Sequence, residues 1–167
     1  MQPKGPIYTE KQRFRQWWVW ILVLIGPSVL AGVIFQQLVM DTPFGSNPTL
    51  DYVLVILGVI VGGGLPLFMY STGLDTEVRD YGVCIRFRPF HRKWVVFGFD
   101  RIEKAKADIY SPLKDYGGWG IRYGRRGKAY SVSGNKGVLL TFKDGKNVMI
   151  GSKNHEALYS AINEKPH

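Results

Sequence analysis

Two long apolar stretches, residues 17–40 (WWVWILVLIGPSVLAGVIFQQLVM) and 52–70 (YVLVILGVIVGGGLPLFMY), contain no Asp, Glu, Lys, Arg or His. At helical rise they reach roughly 36 and 28 Å, against a bilayer hydrocarbon core of about 30 Å. A backbone immersed in lipid must satisfy its amides internally, so charge-free runs of this length read as helices rather than core strands. The connector, residues 41–51, carries no Lys or Arg, whereas Lys4, Lys11, Arg13 and Arg15 precede the first stretch and Arg79, Arg86 and Arg88 follow the second. Because Lys and Arg stay on the cytoplasmic side, the expected topology is a multi-pass hairpin in the cell (inner) membrane with both termini cytoplasmic. Trp17, Trp18 and Trp20, with Tyr52 and Tyr70, suit the interfacial belt. A cleaved signal peptide has a shorter apolar run and no second span, and is the disfavoured alternative.

The expected division is a basic cytoplasmic amino terminus (1–16), a transmembrane hairpin (17–70, spans about 17–40 and 52–70) and a cytoplasmic β domain (71–167). Within the hairpin, Gly58 and Gly62 form a small-xxx-small pair that permits close helix approach, and Pro66 predicts a kink. Intramembrane ionisable residues are absent from the sequence of both spans, which speaks against transport by this chain alone. Net charge is +9, distributed as +3 over residues 1–16, −2 over the connector and +8 over 71–167. A tethered module with that surplus favours anionic partners, lipid headgroups before nucleic acid.

From Thr72 the text changes to short β-branched and aromatic runs broken by turn signals. Strands are expected over 74–79, 83–89, 93–99, 104–109, 120–123, 129–133, 137–143 and 147–151. Asp144-Gly145 predicts a two-residue hairpin turn. Ser152 or Asn154 is the expected N-cap of one carboxy-terminal helix whose stripe is Leu158, Ala161 and Ile162. The fold class is therefore an α+β membrane protein, its soluble part a small antiparallel barrel or sandwich closed by that helix.

The segments GWGIR, SGNKGV, DGKNVMIGS and LYSAI, within residues 118–162, resemble the carboxyl end of bacterial and archaeal membrane proteins with a pleckstrin-homology-like domain, which are mostly uncharacterised. The resemblance implies a binding or assembly module and supplies no catalytic residues.

In CIRFR, period-2 alternation puts Cys84, Arg86 and Arg88 on one face and Val83, Ile85 and Phe87 on the other, one cationic and one core. The following turn adds His91, Arg92 and Lys93, similar to the basic strand-turn-strand cluster with which phosphoinositide-binding pleckstrin-homology domains grip headgroups, although no lysine precedes Arg86. The bland alternative is a solvated strand face. A second basic group, Arg122, Arg125, Arg126 and Lys128, surrounds Gly124–Gly127. Its Gly-Arg-Arg-Gly matches the KH-domain loop only formally, since strands rather than helices are expected on either side. Phosphate-loop and dinucleotide patterns fail there as well. Residues 110–118 (YSPLKDYGG) read as the most mobile loop, with Trp119 at its end as a partner-docking candidate; the alternative is a plain connector.

Catalysis finds no pattern. His91, His155 and His167 are scattered, HExxH, CxxC and GxSxG are missing, and Cys84 reads as a small buried residue. The expectation is a non-enzyme without cofactor or metal: an accessory or scaffold protein whose β domain binds a membrane-protein partner, a second copy of itself or anionic lipid. Nucleic-acid binding, or an enzyme completed only within a complex, are the rivals.

Overall fold

The computed structural model describes residues 5–40, 53 and 56–164; the connector 41–51 and part of the second apolar stretch lie outside the described residues. The chain divides into two units, one holding Phe14–Ser71 and the other the strands on either side of that segment.

In the first unit a single α-helix, α1 (Trp17–Met40), carries the first apolar stretch and contains Pro27. The second stretch is helical over Ile56–Ser71 (α2). Among the described residues only α1 is long and apolar enough to cross a membrane by length and composition. Gly58 is buried against α1: a Cβ there would come within 2.6 Å of Ile34 Cδ1, and one at Gly62 would stand 3.8 Å from Pro27. At Gly58 the absence of a side chain makes room for Ile34, whereas Gly62 would accept a Cβ at ordinary contact distance. A π-helical section, Ile60–Gly64, ends two positions before Pro66, where a kink was expected. Proline 66 cannot donate to the Gly62 carbonyl, and a widened turn of three glycines absorbs that loss at little steric cost. Large apolar side chains point outward along both helices, with Trp17, Leu22, Val29 and Val39 of α1 and Val59, Leu67 and Tyr70 of α2 all more than 60% exposed.

Among the described residues the second unit has nine strands in two sheets. Sheet A has the order β1 (Tyr8–Arg13), β2 (Gly73–Arg79), β3 (Gly82–Arg88), β4 (Val95–Gly98), all antiparallel. Sheet B has the order β5 (Ile102–Ile109), β8 (Lys136–Phe142), β9 (Asn147–Gly151), β7 (Gly127–Ser131), β6 (Gly120–Gly124). A wholly antiparallel sandwich was expected, but β7 and β9 run parallel, so sheet B is mixed. Every strand expected from the sequence is present, with the third, 93–99, reduced to Val95–Gly98.

β1 was not expected. Within the segment 1–16, expected as a basic terminus, residues 8–13 pair with β2, from Tyr8↔Val78 to Arg13↔Gly73. Buried Gln12 donates from Nε2 to the Gly151 carbonyl at 2.7 Å and so joins the two sheets. Glu10 accepts from Ser152 Oγ at 2.6 Å and from the Lys153 amide at 2.8 Å. Tyr8 also donates to Glu10, and burial, aided by that carboxylate, pushes the phenol up to about 12.

Leu74, Val78, Val83, Ile85 and Phe87 of sheet A and Val138, Leu140 and Ile150 of sheet B are buried in the core. Phe97 of β4 bridges the sheets, 5.5 Å from Phe142 and 6.5 Å from Tyr130 between ring centres. The carboxy-terminal helix α4 (His155–Asn163) packs on β5, β8 and β2 through Leu158, Ala161 and Ile162. Asn154 is its N-cap, accepting from the Ala157 amide. The Asp144-Gly145 turn has three residues rather than two: Phe142 and Lys146 bracket it, and only Gly145 takes a positive φ, 80°. That is a type I turn completed by a left-handed glycine, the usual three-residue hairpin.

Residues 110–118, expected as a mobile loop, hold a short helix, α3 (Pro112–Tyr116). It closes on Gly117 at φ 72° and lays Tyr116 over the outer face of sheet B, where Tyr110, Ala129 and Met149 complete a second small core. Sheet B is therefore covered on both faces, and its β9 run VMIG is apolar without alternation.

Candidate functional site

On the outer face of sheet A the β1–β2–β3 register sets Lys11 opposite Asp75 opposite Arg86, and Arg13 opposite Gly73 opposite Arg88. Asp75 is buried, 1% exposed, and three guanidiniums converge on it. Arg13 Nη1 donates to Oδ1 at 2.9 Å, while Arg88 and Arg86 reach Oδ2 at 2.8 and 3.2 Å. Burial alone would raise the Asp75 pKa, but the hydrogen bond and charge of Arg13, with Arg86 and Arg88, outweigh it and hold the carboxyl below its ordinary value. Gly73 is the residue that makes room, because a Cβ there would collide with the Arg13 side chain and the Gln12 carbonyl. Arg86 also lies over the Trp94 ring, its guanidinium carbon 4.7 Å from the centroid. Stacking on one face and one carboxylate oxygen leave Arg86 Nε, like Arg88 Nε, buried without a hydrogen-bond partner.

Three positive charges share a single negative one, so the patch carries a surplus of cation that structure inside the sheet does not compensate. Sequence alternation found Arg86 and Arg88; it missed Arg13 and Asp75. Arg13 was hidden because the inward positions of β1 are Tyr8, Glu10 and Gln12, which give no apolar face to detect.

The β3–β4 turn adds Arg92 and Lys93, both exposed and without an ion-pair partner among the described residues. His91 fixes this turn to β3: its amide donates to the Phe87 carbonyl at 2.8 Å and its Nδ1 accepts from the Phe87 amide at 3.3 Å. The imidazole lies 5.8 Å from the Tyr130 ring, and burial followed by the nearby Lys128 charge lowers its pKa.

Within the second basic group Arg126, Arg122 and Lys128 have different partners. Arg126 is committed to structure, ion-paired with Asp108 and 3.8 Å from Asp115, which ties the β6–β7 hairpin to β5 and α3. That pairing, first through the hydrogen bond, holds the Asp108 carboxyl below its usual range. Arg122 Nε donates to the Trp119 carbonyl at 3.1 Å. Trp119, the docking candidate, is half-buried and donates from Nε1 to the Gly134 carbonyl at 2.8 Å, a tie between two loops. Arg125 and Lys128 remain, with the Lys128 ammonium 4.8 Å from the Tyr130 ring centre and 5.1 Å from that of Tyr123. Cys84 is a buried free thiol whose pKa burial raises. Among the described residues no group of His, Cys, Asp and Glu is arranged to hold a metal ion.

Fold and site thus define a mixed α+β protein with an apolar helical unit and a basic two-sheet unit. The chain belongs to a family of unknown function, DUF6141, whose family model matches residues 2–165. No pleckstrin-homology-like family is identified. Neither a curated protein nor a solved structure matches the chain.

Proposed function

We propose that this protein is an integral membrane accessory or scaffold protein whose β unit, of pleckstrin-homology-like type, rests on the cytoplasmic leaflet and binds anionic lipid headgroups through the outer face of sheet A. The observation that carries the proposal is the Arg13–Arg86–Arg88 cluster on one buried Asp75, with its surplus charge and unpartnered Nε atoms. Its strands are also those that join the apolar unit: Arg13 is four positions before Trp17, and Gly73 two positions after Ser71. An anionic surface contributes roughly 1 kcal/mol for each uncompensated basic residue near it. Arg86, Arg88, Arg92 and Lys93 would supply most of that attraction, and the planar forks of the arginines suit phosphate oxygens.

Membrane insertion of α1 and α2 as a hairpin is supported by their outward-facing apolar side chains, which water would penalise over an area no ordinary soluble surface exposes. Two sheets closed by a carboxy-terminal helix support the pleckstrin-homology-like assignment, from which the parallel β7–β9 pair and the added β1 depart.

The test is native mass spectrometry of the detergent-purified full chain offered phosphatidylglycerol and phosphatidylcholine. A several-fold preference for the anionic lipid is expected, lost in Arg86→Gln/Arg88→Gln and kept in a charge-matched Lys104→Gln/Lys114→Gln control. Equal retention of both lipids by the unaltered chain would refute the headgroup assignment.

A membrane-protein partner or a second copy is the other reading. Open space at Gly63 and Gly64, where a Cβ would meet nothing within 4 Å, leaves α2 a surface on which another helix can approach closely.

A further inference from the structure

We infer that the concave surface between the β6–β7 hairpin and the β8–β9 turn is a second binding site, for a small phosphorylated molecule carrying a planar ring, the chemistry of a nucleotide. The groove has a volume of about 580 Å³ and is lined by Tyr123, Arg125, Gly127, Lys128, Lys146 and Val148, among others. Small-molecule sites occupy about 300–1,000 Å³, so it fits one ligand of that size and not a length of strand.

Its charge is one-sided. Arg125, Lys128 and Lys146 line it and no carboxylate does. Lys146 leans on Asp144 at 2.9 Å, an exposed pair that a ligand phosphate can outcompete, and Arg125 and Lys128 have no ion-pair partner among the described residues. Lys128 is only half-exposed, yet what faces its ammonium is the rings of Tyr123 and Tyr130. Ring quadrupoles keep it charged without neutralising it, so the positive potential stays available to an anion, and a concave wall concentrates that potential.

The position is built rather than incidental. The β6–β7 register sets Tyr123 opposite Lys128, and Gly124 opposite Gly127. Gly127 has φ 102°, and a Cβ there would run into the Asn147 carbonyl, so this lining position admits no side chain. Tyr123 stands at the rim, 74% exposed, which leaves its ring area free to stack a planar group while Val148 supplies an apolar wall. Phosphate on Arg125 and Lys128 and a ring on Tyr123 is the arrangement these groups make together.

Calorimetry on the full chain in neutral detergent at low salt, with no anionic lipid present, tests this independently of the lipid contact on sheet A. The probes are adenosine diphosphate, inorganic pyrophosphate, adenosine and short-chain phosphatidic acid. Saturable one-to-one binding of adenosine diphosphate is expected, about tenfold tighter than pyrophosphate because one stacked base contributes roughly 1–3 kcal/mol, with adenosine alone too weak to measure. Arg125→Gln/Lys128→Gln should weaken adenosine diphosphate at least about tenfold, as two charge-assisted contacts are lost. Tyr123→Leu, which removes the stacking ring while Tyr130 still faces the Lys128 ammonium, should weaken adenosine diphosphate far more than pyrophosphate, and Lys104→Gln should change nothing. Absence of saturation with every soluble phosphate, an equal loss in Lys104→Gln, or tighter binding of phosphatidic acid than of adenosine diphosphate would overturn the assignment.

Discussion

Asp75 holds together a patch that would otherwise push itself apart. Its carboxylate is desolvated, and each of the three guanidiniums around it keeps between a quarter and a half of its exposure, so the ion pairs are partly screened but the carboxylate is not. Replacing Asp75 by Asn keeps the shape and removes the charge that three arginines share. The expected cost is about 1–3 kcal/mol, the range for hydrogen bonds to a charged group left unmade, read as a drop in thermal midpoint. Its pH dependence has a definite sign. The folded-state pKa lies below the unfolded value, so the contribution is fully present above the ordinary carboxylate range and is lost as pH falls through the folded pKa. The gap between wild type and Asp75→Asn should therefore be constant at neutral pH and close below about pH 4; a gap that widened on acidification would contradict the assignment. Arg86 and Arg88 were legible because alternation within one strand is local information. Their third companion was not, since Arg13 lies 62 positions from Asp75 and meets it only when β1 docks on β2.

Strand β1 shows why local pattern missed an element that closes the fold. YTEKQR alternates, but its inward residues are polar because they bond across to the end of β9 and the start of α4 instead of entering an apolar core. Most other strands were readable from β-branched runs and turn glycines, and α4 from its cap and stripe. The short helix α3 was not, because Pro112, Lys114 and Asp115 look like loop chemistry until Tyr116 finds its second core. The same burial explains Trp119 and Arg126, which were read as surface groups from charge and aromaticity alone and turn out to tie loops together. Gln12→Ala tests the element directly. Removing the only described bond from its side chain to the Gly151 carbonyl leaves a buried acceptor unsatisfied and a gap between the sheets, a loss of about 2–3 kcal/mol. Faster amide exchange in β1 and in the Gly151 segment, with the β6–β7 hairpin unchanged, is the expected signature; uniform acceleration across both sheets would mean that Gln12 is not a local tie.

At the scale of the whole molecule, the pairing of β1 with β2 constrains topology more tightly than hydropathy does. Arg13 and Gly73 are register partners, so the chain leaves the β unit for the apolar unit and returns to it at adjacent points. If α1 crosses a bilayer, the chain must cross back before Gly73, because one folded sheet cannot have neighbouring strands on opposite sides of a membrane. In the proposed hairpin β1 stays with sheet A, whereas cleavage after α1 would remove Gln12, Glu10 and Arg13 together. In the proposed topology charge selects the side: the basic residues of β1, β2 and β3 flank both ends, and the tendency of Lys and Arg to stay inside would put them in the cytoplasm. Cysteines placed singly at exposed Thr9 and Lys153, in a chain whose Cys84 is replaced by Ala, should both resist a membrane-impermeant maleimide in intact cells and both react after permeabilisation. A cysteine at Asn47, in the connector, should react in intact cells. Labelling of Thr9 and Lys153 positions on opposite schedules would break the β1–β2 pairing or the hairpin, and mass measurement of the mature chain, with Met1 to Arg13 present or missing, would say which.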